Sequence, residues 1–264
     1  MSIAALMMLK NENRFILHED RSKPKYTMLE QNFRRLRSMV DAVYIVDNGS
    51  TDGSRDIYDK YEKDGLIQFV HYNDNYVDFD DVRDRKILLE AAVADKHKWI
   101  LVVDGDEIYE DRMDYWIKDF CSSNSHNGLH SVMFNYVNFW RSRDNYRVDK
   151  WNDSWFFRLF SSTFLDVVGE KLHQYRFLFR SFNGLHSVGN VLRSDIKCLH
   201  YGWADWDHRL KKTKQYIDLD MQYNNLSFDH ASKKYVVYTD ESGIVLSRGR
   251  SEWSSEFRTG SIDY

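Results

Sequence analysis

Asp104-Gly105-Asp106 follows directly on the apolar run Trp99–Val103. If that run is a strand, residues i and i+2 leave it on the same side, and two carboxylates are aimed at one point. Hard oxygen donors in that arrangement suit Mg²⁺ or Mn²⁺ bridging to phosphate oxygens. Gly105, without a side chain, lets the backbone come close to a ligand. The plainer reading is a solvated acidic turn, and the Asp-Gly-Asp triplet alone favours it. A second stretch, Asp47-Asn48-Gly49-Ser50-Thr51-Asp52-Gly53-Ser54, also follows an apolar run. A carboxylate at a strand end can accept a hydrogen bond from a base N–H, and small neighbours let a flat base lie close. The alternative there is a strand-to-helix turn with Ser or Asp as the helix cap.

Two more polar groups have the types that a nucleotide site needs. Lys10-Asn11-Glu12 leaves the first apolar run, and Asn11 and Glu12 can bind a ribose or a base. Arg83-Asp84-Arg85-Lys86 places cations early in a helix, where they oppose the dipole. A diphosphate would account for them, and so would ion pairs to Asp78, Asp80, Asp81 or Asp84.

The elements that must position these groups read clearly in the first half. Ile3–Leu9 is a continuous apolar run of a doubly covered strand. Tyr26–Met39 repeats Leu29, Phe33, Leu36 and Val40 at helical spacing. Ala42–Val46 is a strand, Ser54–Lys63 a helix closed by Gly65, and Leu66–His71 a strand. Asp81–Asp95 has Val82, Leu89 and Val93 in line as a helix, and Trp99–Val103 is the fourth strand, with a helix over 111–120 to follow. Such alternation predicts a mostly parallel sheet with helices on both faces, whose carboxyl edge holds ligands. The second half changes character. His130–Trp140 alternates as a half-buried strand does, Trp155–Phe160 and Tyr175–Phe182 are extended, and Asp205–Asn224 is a helix with Leu210, Ile217 and Met221 spaced for one face. The expected organisation is one α/β domain over residues 1–246, with 1–120 binding the nucleotide and 121–246 the acceptor, then a polar tail over 247–264.

Bulk properties exclude other classes. The 264 residues carry 37 basic and 41 acidic side chains, a net charge of −4 that offers no electrostatic case for nucleic acid. Two cysteines, Cys121 and Cys198, define neither a disulfide framework nor a zinc site. The apolar N-terminus is too short for a membrane span of roughly 20 residues and lacks the basic start of a signal peptide. A soluble, cytoplasmic protein is expected. A single proline, with frequent Asn, Asp and Tyr, hints at an unusual genome such as a virus's.

Taken in order, Ala4–Glu12, Val43–Ser54, Arg85-Lys86 and Trp99–Glu107 resemble the family-2-like glycosyltransferases of GT-A fold. The resemblance covers about residues 3–110 and is thinner afterwards. It implies an inverting enzyme with a nucleotide-diphospho-sugar donor, a carbohydrate acceptor, and Mn²⁺ or Mg²⁺ as cofactor. Asp47 would recognise the base, aided by Asn48 and Ser50, and Lys10, Asn11 and Glu12 would line the nucleoside pocket. Arg85 would face the diphosphate or the Asp104 region. Asp104, with Gly105, would contact ribose or metal, and Asp106 would be the main metal ligand. Lys86 stands where the family usually has Asn.

The second half is similar to the family at Trp155–Phe160, at Gly169–Gln174 and at Cys198–Trp203. His200 can be a third metal ligand through a neutral imidazole, although a histidine among aromatics is more often a packed one. Gln174, standing where relatives often carry Glu, cannot act as a base, which leaves Glu170, His173 and Asp153 as catalytic candidates. Trp140, Trp151, Trp155, Trp203 and Trp206 can stack on an acceptor sugar or form core. The rival readings are a sugar-phosphate nucleotidyltransferase, which would carry a Gly-rich, Arg-containing loop after the first strand, and a non-catalytic nucleotide-sugar or carbohydrate binder.

Overall fold

The computed structural model describes residues 2–74, 80–124, 130–149, 151, 154–169, 176–181 and 184–248. In chain order the elements are β1 Ile3–Leu9, α1 Met28–Met39, β2 Ala42–Asp47, α2 Ser54–Lys63, β3 Ile67–Tyr72, α3 Asp81–Ala94 and β4 Trp99–Val102. Then come β5 Glu107–Tyr109, α4 Met113–Ser123, β6 Ser131–Asn138, β7 Asn145–Arg147 and β8 Trp155–Ser161. The last are β9 Leu165–Val168, β10 Arg176–Arg180, β11 His186–Ser187, β12 Val191–His200, α5 Trp206–Asn224, α6 Phe228–Tyr235 and β13 Leu246–Arg248.

The main sheet has eight strands in the order β3-β2-β1-β4-β8-β6-β12-β5. β1 lies parallel to β2 and β4, and β2 to β3, which is the expected nucleotide-type half. β8 then runs antiparallel to both β4 and β6, so the sheet turns mixed as the second half enters it. The α/β class with a mixed C-terminal half is therefore what the protein has. Two small sheets, β11-β10-β9 and β13-β7, flank it.

Local chemistry explains the first half. Thr27 caps α1 in a capping box with Glu30: its hydroxyl accepts from the Glu30 amide, and Glu30 accepts from the Thr27 amide. Leu29, Phe33 and Leu36 of α1 then pack with Ala5, Met7, Val43 and Ile45 on one sheet face. On the other face Leu88, Leu89 and Ala92 of α3 meet Leu6, Tyr44, Val46 and Val102. Burying leucines of this kind stabilises the fold by about 1.5–3 kcal/mol each.

The inner stripe of α3 differs from the expected one. It runs Asp81, Asp84, Arg85, Leu88, Leu89 and Ala92, while Val93 is exposed. The stripe is apolar at its far end and charged at its start, so the packing of Leu88 and Leu89 turns Arg85 inward. Helix α5 differs too: Leu210 and Met221 face solvent, and Arg209, Thr213 and Asp220 are buried. Strand β12 was not expected at all. Its alternation is broken by a bulge between Arg193 and Lys197, where one register gives way to the next.

Candidate active site

A cavity of about 1030 Å³ opens over the carboxyl ends of β1, β2 and β4. Lys10, Asn11, Glu12, Asn48, Thr51, Arg85, Asp104, Gly105 and Asp106 line one side of it. Its opposite walls carry Tyr136, Asn138, Arg158, His200 and the α5 side chains His208, Lys211, Lys212, Gln215 and Tyr216. The polar groups that the sequence singled out thus converge on one space, as the topology requires of an open α/β sheet.

The two aspartates do not share a partner set. The Asp104 carboxylate accepts from Arg158 at 2.7 Å and from Arg85 at 3.4 Å. Arg158 also donates to Glu107, which in turn accepts from the Tyr136 hydroxyl. Burial pushes the Asp104 carboxyl upward, but the Arg158 and Arg85 guanidiniums hold it well below the usual carboxylate range. Asp106 points elsewhere. Its Oδ2 accepts from Lys212 Nζ at 3.0 Å, and its Oδ1 stands 3.6 Å from His200 Nε2. Burial again acts upward, and the Lys212 ammonium more than offsets it.

His200 is held in one tautomer by a relay. Asn138 donates from its amide nitrogen to the Trp151 carbonyl at 2.9 Å, which leaves its oxygen to accept from His200 Nδ1 at 2.8 Å. The ring's Nε2 therefore turns a lone pair toward Asp106. Burial lowers this histidine to about 4, so the neutral form is the resident one at neutral pH. Gly202 closes the corner: a Cβ there would lie 2.5 Å from Asp106 Oδ2 and 2.8 Å from His200 Nε2. Only glycine leaves that cradle open. Among the described residues no group of three His, Cys, Asp or Glu side chains can hold a metal ion. Of the three expected ligands, Asp106 and His200 face one another at 3.6 Å, and Asp104 is turned to Arg158 and Arg85.

The residues expected near the nucleotide take the following positions. Asp47 is fully buried beneath the cavity, and its carboxylate accepts from the Ser50 amide at 3.0 Å, from Arg55 at 2.9 Å and from the Tyr58 hydroxyl at 3.1 Å. It shapes the loop from below, while Asn48 and Thr51 reach the surface of the cavity. Ser50 accepts from the Asn11 amide at 2.9 Å, and the Asn11 side chain accepts from the Thr51 amide at 2.8 Å. Asn11 adopts a left-handed φ of 56°, a conformation its short amide side chain tolerates. Gly105 is packed closely by protein as well as lining the cavity: a Cβ would come within 2.4 Å of Glu12 Cγ and 2.9 Å of Leu9 Cδ2. Glu12 itself is pushed by burial to about 7, against the nearby Arg14.

Among the tryptophans, Trp151 and Trp203 line the cavity, Trp140 is core and Trp206 is exposed. The catalytic candidates Asp153, Glu170 and His173 lie outside the described residues. Residues missed by sequence reading are Arg14, Tyr136, Asn138, His208 and Lys212. For the last two a signal existed, since 208, 211, 212, 215 and 216 form one helical stripe.

The model of glycosyl transferase family 2 matches residues 23–183. Among solved structures, residues 1–349 of S. aureus TarS align at 11% identity over 92% of this chain and 73% of that one, with a TM-score of 0.45. A longer S. aureus TarS structure aligns at 15% identity over 52% of this chain and only 22% of its own, with a TM-score of 0.38. A putative glucose-1-phosphate thymidylyltransferase from Bacillus anthracis gives 9% identity, 94% and 89% coverage, and a TM-score of 0.39. No curated protein matches the sequence. These comparisons lend no support to a viral source, and no helix among the described residues is long and apolar enough to cross a membrane.

Proposed function

The chain belongs to glycosyl transferase family 2, and on that premise we propose that it moves a sugar from a nucleoside diphosphate donor to a carbohydrate or glycoconjugate hydroxyl, with inversion. The observation that carries this reading is the cavity over the β1, β2 and β4 ends, where the Asn48 and Thr51 side adjoins a charged corner. Asn48 and Thr51 are the groups at hand for the base, with Lys10 and Asn11 beside them. Asp47 would act on the base through the loop it holds. Arg85 and Arg158 carry the positive charge that faces the phosphates past Asp104.

Asp106 and His200 are the residues that would hold Mg²⁺ or Mn²⁺. A bare imidazole nitrogen facing a carboxylate across an open glycine cradle fits a cation, and such ions take few protein ligands when phosphates supply the rest. Bound there, the ion would supply charge neutralisation to the departing diphosphate. The acceptor oxygen forms the new bond to the anomeric carbon as the carbon–oxygen bond to phosphate breaks. The nucleoside diphosphate leaves with that electron pair, and the acceptor proton goes to one of Asp153, Glu170 and His173. Trp151 and Trp203 offer apolar faces for the acceptor ring.

Thermal unfolding with a panel of nucleoside diphosphates, with and without Mn²⁺, tests the donor site. One base should raise the melting temperature, by an amount that corresponds to about 2.7 kcal/mol at a hundredfold excess over Kd. Stabilisation by none of them would overturn the reading, and release of pyrophosphate from a sugar phosphate and a nucleoside triphosphate would replace it with nucleotidyl transfer.

A further inference from the structure

We propose that Arg14, His208 and Lys212 form an anion subsite in the wall of this cavity, built for a phosphate group. The three come from two elements, the loop after β1 and the first and second turns of α5, and all line the same space. Arg14 donates from Nε to Glu12 at 3.2 Å, which fixes the root of its guanidinium. Its two terminal nitrogens, Nη1 and Nη2, are buried with no hydrogen-bond partner among the described residues. His208 Nε2 is in the same condition. Lys212 follows His208 by one helical turn, so the two share a face. Its ammonium lies 3.0 Å from Asp106 and 4.9 Å from the centre of the Trp203 ring.

Buried donors without acceptors are few in native proteins, and each one asks for an explanation. Two guanidinium nitrogens in one wall, beside an imidazole and an ammonium, call for an acceptor with several oxygens. Phosphate has them, and the planar fork of arginine matches two of them at once. The cations also act on the histidine between them. Burial, with the Arg14 and Lys212 charges acting in the same direction, lowers His208 to about 3. An anion in that position would relieve both.

The geometry of the subsite is independent of the reaction, but its use rests on the glycosyl-transfer reading. The phosphate can belong to the donor's diphosphate or to a phosphorylated acceptor. Titration calorimetry on the whole chain, with inorganic phosphate, pyrophosphate, a nucleoside diphosphate panel, the parent nucleosides and glycerol 3-phosphate, separates these sources. Arg14→Gln, His208→Gln and Lys212→Gln are compared with the unmodified protein, and Arg14→Lys keeps the charge without the fork. The expected result is a loss of roughly tenfold or more in pyrophosphate affinity for Arg14→Gln, partly restored in Arg14→Lys. If the anion is the donor's, nucleoside diphosphate binding falls equally while nucleoside binding holds. If it is the acceptor's, nucleoside diphosphate binding is unchanged and glycerol 3-phosphate binding falls with the nucleotide saturating. Should Arg14→Gln fail to fold, the two α5 variants carry the comparison. Equal affinities across the folded variants for phosphate, pyrophosphate and glycerol 3-phosphate, or no binding of any by the unmodified protein, would overturn the subsite. Arg14-dependent pyrophosphate binding with no nucleoside diphosphate binding would instead sink the donor-site reading and leave the subsite standing.

Discussion

Arg158 donates to two carboxylates: it reaches Asp104, on the cavity wall, at 2.7 Å and shares the buried Glu107 with the Tyr136 hydroxyl. Removing it strands the buried Glu107 where solvent cannot compensate it and leaves Asp104 with Arg85 alone. Arg158→Met should therefore destabilise the protein by about 3–5 kcal/mol, read from urea unfolding, whereas Glu107→Gln should be milder. If Arg158→Met unfolds at the same urea concentration as the parent, the network contributes nothing. Asp106→Asn has a different signature. It removes the negative charge opposite Lys212 and His200 and should abolish any Mn²⁺-dependence of nucleotide binding, while metal-free binding of the nucleoside persists. At this scale the sequence was informative about which residues gather and poor on what each one touches. Asp104 and Asp106 were both recognised, but i and i+2 spacing says only that two side chains leave one side of a strand. It says nothing of the Arg158 and Lys212 that draw them apart, because those partners arrive from β8 and α5, about 50 and 100 residues away.

Elements translate packing into placement. In α3, Leu88 and Leu89 seat the helix on the sheet and so fix the rotation that turns Arg85 inward. Leu88→Ala should cost about 2–5 kcal/mol and, where folded protein remains, weaken nucleoside diphosphate binding without touching a ligand. An unchanged dissociation constant in that variant would show that Arg85 is positioned by some other contact. α5 teaches the reverse lesson. Its apolar residues Leu210, Ile217 and Met221 are spaced for one face, yet Leu210 and Met221 are exposed and the helix presents His208, Lys212 and Tyr216 to a polar cavity. Periodicity identifies a stripe, and whether that stripe meets core or cavity depends on what the helix covers. β1, β2 and β4 were legible to within a residue or so because they are buried on both faces and read as near-unbroken apolar runs. β12 was not, since the bulge at Arg193/Lys197 disrupts the alternation that would have announced it.

For the whole molecule, the buried titrating groups set how stability follows pH. His200 and His208 sit near 4 and 3 in the native state, whereas a histidine in the unfolded chain titrates near 6.5. Between those values the unfolded chain binds protons that the native protein does not, so stability rises with pH there and is lost as pH falls below 6.5. Glu12 works against this: raised to about 7, it binds its proton in the native state first, and its contribution is lost as pH rises from about 4.5 to 7. His208→Gln isolates one of these. Its stability should fall less steeply than the parent's between pH 6 and 4, by about 1.4 kcal/mol per pH unit, in urea titrations at several pH values. Parallel slopes would mean that His208 is protonated in the folded protein.

The pairing of β5 with β12 joins Glu107 to His200, about 90 residues later in the chain. On a ribosome adding 5–20 residues per second, the segment that bears Asp106 waits on the order of 5–20 s for the strand beside it, and longer for Lys212. Through that interval the first parallel strands can assemble, while the acidic corner has neither its imidazole nor its ammonium. The birth order of the chain thus delays the competence of the site, which ripens from the C-terminal third backward.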